Sequence, residues 1–136
     1  MRLFIPVRRA TLLVPSGPEH DPNRKHLFIL LTDPPNPDGE VLLVGVASVQ
    51  ERLPHDPTCL LYLGDHPFIR HKSYVNYAFA RIEPVGKLVN GVKQGLFDPQ
   101  GTLGEAVFAR VCKGLLESRR TTPKIRKFYE DAQQAI

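Results

Sequence analysis

Ten of the thirteen prolines fall at or before Pro67, and they cut the first half of the chain into segments too short for ordinary helices. Between them lie runs rich in Leu, Ile and Val: Thr11 to Val14, Leu27 to Thr32, Val41 to Ser48 and Cys59 to Leu63. Each has the length of a β-strand. A fifth run, Tyr74 to Ile82, mixes aromatic and branched residues and stops before Pro84. No helix-length segment separates these runs, so they cannot be joined as βαβ units, and the sheet is expected to be largely antiparallel. A small, strongly bent barrel is the economical arrangement, because closure removes exposed strand edges.

The pattern changes after Gly101. Thr102-Leu103-Gly104-Glu105 has the T-x-x-E spacing of a capping box, and Leu103, Val107, Val111 and Leu115 then recur every four residues. This predicts a helix whose apolar face covers the sheet. Thr122-Pro123 predicts a second helix through Glu130, anchored by Ile125, Phe128 and Tyr129. A length of 136 residues suits one domain, with a barrel over about 10–90 and C-terminal helices over about 102–133.

The longest apolar runs are strand-sized, which excludes a helical membrane span of about 20 residues. The first residues, Met1 to Arg9, are broken by Pro6 and closed by two arginines, unlike a signal peptide. Cys59 and Cys112 lie far apart, with neither a CxxC pair nor zinc-finger spacing, as suits a reducing cytoplasm. A cytoplasmic location is expected. The net charge of +4 is concentrated after residue 118, where Arg119, Arg120, Lys124, Arg126 and Lys127 outnumber Glu130 and Asp131. Such a cluster suits nucleic acid phosphates or an acidic protein, and equally a solvated helix face.

The order of segments resembles the PemK/MazF family of toxin endoribonucleases. A Gly-containing polar loop, Gly17 to Lys25, precedes the strand His26 to Thr32, and Val44-Gly45-Val46-Ala47-Ser48 occupies the place of the family's Pro-Ile-Thr-Thr stretch. Ser48 stands where the family has its threonine. Phe68 to Val75 and Ala80-Arg81-Ile82-Glu83 are similar to its Ser-x-Val and Ile-Arg-Thr-Ile segments, and Lys87-Leu88 and a helix follow in order. The resemblance spans most of residues 10 to 118. It implies an SH3-like barrel, a homodimer, an antitoxin protein as partner, and cleavage of single-stranded RNA without a metal or other cofactor. By family position, Arg24 or Lys25 stabilises the phosphate and Ser48 helps to hold it.

Metal-free RNA cleavage needs a base for the ribose 2′-hydroxyl, a donor or cation for the phosphate, and an acid for the leaving oxygen. The loop Glu19 to His26 offers His20, Asp21, Arg24, Lys25 and His26 just before a strand. The stretch Gly64 to His71 offers Asp65, His66, Arg70 and His71, in which Asp65 can orient a histidine or simply form a turn. The candidate catalytic residues are therefore His20, Lys25, Ser48, Asp65 and His66, and the candidate RNA contacts are Arg24, Arg70, His71, Lys72 and Arg81. His20, Arg24, Lys25, Ser48, Asp65, His66 and Arg70 are expected around one basic groove. Tyr62, Phe68, Tyr74, Tyr77 and Phe79 can stack on bases, although strand alternation places Tyr77 and Phe79 together as core or dimer contacts. Two alternatives stay open. The family's Arg-Pro pair is absent, which favours a binding module without catalysis, and His55, Asp56, Cys59, Asp65, His66 and His71 are ligand types for a metal-dependent hydrolase.

Overall fold

The computed structural model describes residues 3–134. Six strands form one antiparallel sheet: β1 (Ala10–Pro15), β2 (Lys25–Leu30), β3 (Glu40–Ser48), β4 (Leu60–Leu61), β5 (Ser73–Pro84) and β6 (Asp98–Thr102). Their spatial order is β4-β5-β3-β2-β1-β6, and the sheet curls into a half-barrel. Helix α1 (Val85–Lys93) links β5 to β6, while α2 (Glu105–Glu117) and α3 (Pro123–Gln134) follow. Every strand expected from the proline-bounded runs is present, and all pairings are antiparallel.

Strands β1 to β3 are apolar through most of their length because both faces of the sheet are covered there. One face packs Leu27, Ile29, Leu42, Val44 and Tyr77 against Val111 and Leu115 of α2 and Ile125 and Tyr129 of α3. On the other, Leu12, Phe28, Leu30, Val41 and Leu43 meet Leu88 of α1, with Phe4, Val92 and Phe97 at the margin. Side chains alternate between these two clusters along β1, β2 and the first part of β3, as strand geometry requires. A continuous apolar run is thus the signature of a strand buried on both sides.

Two elements lie outside the sequence expectations. Helix α1 contains Gly86 and Gly91, which weaken its local helix signal. Strand β6, Asp-Pro-Gln-Gly-Thr, has almost no strand propensity and exists because it pairs with the free edge of β1, through Ala10↔Thr102 and Leu12↔Pro99 with a bulge between. The capping box expected at Thr102 is consequently replaced. Thr102 ends β6, Gly104 takes the cap position without a side-chain bond, and the Glu105 carboxylate pairs with Arg9 at 3.3 Å. At α3 the expected cap is present, since the Ile125 amide donates to Thr122 Oγ1 at 3.3 Å.

Strand β5 is irregular in a way that alternation does not foresee. Leu43 pairs with Arg81 and Gly45 with Asn76, so Tyr77 to Ala80 stand opposite Val44 alone. Tyr77 remains in the core, with Oη donating to the Val111 carbonyl at 2.6 Å, whereas Phe79 is thrown outward and is 75% exposed. Phe79 is therefore not a core residue, contrary to its strand parity with Tyr77.

Candidate nucleic-acid interface

His66, expected as a proton-transfer group, is built into the scaffold instead. It is 3% exposed, and both ring nitrogens are used. Nδ1 accepts from the Phe68 amide at 3.0 Å, which places the proton on Nε2. Nε2 lies 3.0 Å from the Gln100 carbonyl and 3.0 Å from Thr11 Oγ1, and Thr11 Oγ1 itself donates to the Gly101 carbonyl. The ring thus joins the turn after β4 to β1 and β6 at the opposite end of the sheet, finishing with a side chain the closure that no strand ladder makes. Burial lowers its pKa, only partly countered by the bond to Gln100.

Asp65 does not orient that ring. Its carboxylate accepts from the Tyr62 amide at 2.8 Å, as a turn-forming Asp does, and pairs with Arg110 of α2 at 2.8 Å. Asp56 is buried and bound to Ser118 and Thr58, and both cysteines are buried with thiol pKa values raised by desolvation. Among the described residues, no three His, Cys, Asp or Glu side chains gather in a way that could hold a metal ion. The ligand types that favoured a metal-dependent hydrolase are therefore dispersed.

A groove of about 470 Å³ lies where three chain segments converge. The antiparallel pairing of β2 with β3 brings the start of one beside the end of the other, as in Leu27↔Val46. The pairs Ser48↔Ser73 and Ala47↔Tyr74 add the start of β5. From the first segment come Arg24, Lys25 and His26, from the second Ser48 and Gln50, and from the third Phe68, Arg70, His71 and Tyr74. Arg24 pairs with Asp21 at 3.1 Å and Lys25 with Asp98 at 3.3 Å, both exposed contacts of small net energy. Arg70 and His71 form no ion pair among the described residues. A glycine is needed to shape the preceding loop, because a Cβ at Gly17 would overlap the Asp21 carbonyl oxygen and crowd Arg24 Cβ at 2.7 Å.

Of the expected residues, Arg24, Lys25, Ser48, Arg70 and His71 line this groove. His20 and Lys72 are exposed, and neither is part of the lining. Arg81 lines an adjoining hollow that shares His26, Val46 and Ala47 with the groove. The residue that the catalytic set omitted is His26. Its Nδ1 lies 2.8 Å from Ser16 Oγ across the β1–β2 ladder, and Nε2 makes no hydrogen bond among the described residues. Partial burial, with the nearby Arg24 charge, lowers its pKa and favours the neutral ring. Its position one residue after Lys25, at the mouth of a strand, was the available sequence signal.

No protein-family model, curated protein or solved structure matches this chain.

Proposed function

We propose that the groove binds single-stranded RNA along its phosphates and cleaves it without a metal, through attack of the ribose 2′-hydroxyl. The observation that carries this reading is the convergence of Arg24, Lys25, Arg70, His26 and His71 from separate segments beside the aromatic rings of Phe68 and Tyr74. Cations track phosphates and aromatic faces stack on bases, which is the combination that single strands require. The order of segments, similar to the PemK/MazF endoribonucleases, points the same way.

The chemistry distributes over the groove as follows. His26, neutral and held at Nδ1 by Ser16, takes the 2′-hydroxyl proton at Nε2. The 2′-oxygen bonds to phosphorus while the bond to the 5′-oxygen breaks, and His71 serves as the acid that gives the leaving oxygen its proton. Arg24, Lys25 and Arg70 stabilise the charge on the phosphate oxygens, and Ser48 donates a hydrogen bond. The products are a 2′,3′-cyclic phosphate and a 5′-hydroxyl.

The test is a long unstructured RNA incubated with the protein in EDTA, with the products' ends analysed. Wild type should cleave, and His26→Ala and His71→Ala should each slow cleavage by about 10²-fold or more. Cyclic phosphate ends are expected, and 3′-hydroxyl ends would rule out this mechanism. A second reading, binding without cleavage, is favoured by the commitment of Asp65 and His66 to the scaffold; retention of RNA uncut by wild type would establish it in place of the first.

A further inference from the structure

The hollow beside the groove has features that phosphate binding does not use. Its volume is about 470 Å³, within the range of small-molecule sites. Its lining includes the small residues Gly45 and Ala47 of β3, and the Phe28 ring lies over Gly45, where a Cβ would stand 3.0 Å from it. Phe79, set outward by the irregularity in β5, forms an exposed aromatic wall. Small residues and one aromatic ring beside a second, exposed aromatic ring make a setting suited to a planar heterocycle.

Two polar side chains in the lining make no hydrogen bond among the described residues. The Arg81 guanidinium lies 4.4 Å over the centre of the Phe28 ring, a cation–π contact. It has no hydrogen-bond or ion-pair partner among the described residues, and its Nε is buried without one. The Asn76 amide likewise makes no side-chain hydrogen bond among the described residues. The two residues are five apart, an odd spacing that would put them on opposite faces of a regular strand; the extra residues of β5 bring both to this hollow.

We infer that this hollow is a nucleobase site that selects guanine. The inference rests on the RNA reading of the groove, because the two cavities share His26, Val46 and Ala47, so that a strand with its phosphates in one can turn a base into the other. Arg81 offers donors alone, in a fork. Guanine presents O6 and N7 as adjacent acceptors, whereas adenine interrupts that pair with a donor amine. The Asn76 amide, both donor and acceptor, serves a further edge atom, and Phe79 covers the ring face.

Nucleosides test the site without the groove, because they carry no phosphate. With the full chain, guanosine at millimolar concentration should shift the NMR signals of the Asn76 side-chain amide and the Phe79 ring more than adenosine, uridine or cytidine does. Phe79→Ala, a change at an exposed position that the fold tolerates, and Arg81→Lys should each weaken guanosine binding by about tenfold. Equal shifts from all four nucleosides, no shift from any, or guanosine binding unaffected by both substitutions would overturn the inference. An RNA oligonucleotide that binds and loses affinity on Arg70→Ala, alongside nucleosides that do not bind, would leave the groove standing and remove the base site. Guanosine binding without oligonucleotide binding would remove the RNA reading and keep the hollow as a nucleobase site.

Discussion

His66 holds together two ends of the sheet that no backbone ladder joins, and it does so only as a neutral ring. A proton added at Nδ1 would meet the Phe68 amide that this nitrogen now accepts from. Folding therefore favours the neutral form, and the folded pKa lies below the ordinary 6.5. The unfolded chain takes up the proton first, so the contribution of His66 is complete above about pH 6.5 and is lost as pH falls below it. His26 has the same direction of shift and adds to the same window. Urea denaturation should show lower stability at pH 5 than at pH 8. His66→Ala, which leaves the partners of a buried ring unpaired, should cost about 1–3 kcal/mol at pH 8 and flatten part of that pH dependence. An unchanged urea midpoint in the variant would contradict the structural role.

Among the elements, α2 meets the sheet in close contact at a glycine, Gly114. At Gly114 a Cβ would overlap Tyr77 Oη and approach Cys59 Cβ at 3.1 Å, so the absence of a side chain lets Tyr77 reach the Val111 carbonyl. Gly86, near the start of α1, has open space around its Cβ position. The same substitution should therefore act in opposite directions. Gly86→Ala should stabilise by about 0.5–1 kcal/mol through helix propensity and lost unfolded-state freedom. Gly114→Ala should destabilise, because overpacking of about 1–3 kcal/mol outweighs a propensity gain of about 1 kcal/mol. Thermal unfolding of the two variants checks both signs, and a stabilised Gly114→Ala protein would mean that α2 does not rest on Tyr77.

Over the whole molecule, the groove is lined by no residue of the basic C-terminal segment that carries most of the net charge. Arg126 there is engaged with the Leu116 carbonyl at 2.6 Å, helping to close the end of α2, and Lys127 pairs with Asp131. The tail is thus partly structural, and the proposed RNA contact belongs to the groove. With one phosphate at each of Arg24, Lys25 and Arg70, the logarithm of affinity should fall with the logarithm of salt concentration at a slope of about −2. Arg70→Ala should reduce that slope by about 0.7, while Lys127→Ala should leave it unchanged. A slope that responds to Lys127 and ignores Arg70 would move the interface to α3.

The first five strands, their antiparallel pairing and helices α2 and α3 were legible in the sequence because proline breaks, apolar runs and four-residue periodicity are local signals. The chemistry of the loop before β2 and the turn before β5 was legible as composition, which is why Arg24, Lys25, Arg70 and His71 could be named beforehand, whereas Ser48, at the end of β3, was named only from the resemblance in segment order. Which of the histidines would be free was not. His66 and His71 occupy one turn, and only the meeting of that turn with β1 and β6 buries the first and leaves the second at the groove. Strand β6 likewise has no propensity of its own and is formed by an edge that needs hydrogen bonds. The register of β5 decides the rest, because extra residues opposite Val44 reverse the side-chain parity on which any reading of Asn76, Phe79 and Arg81 from sequence depends.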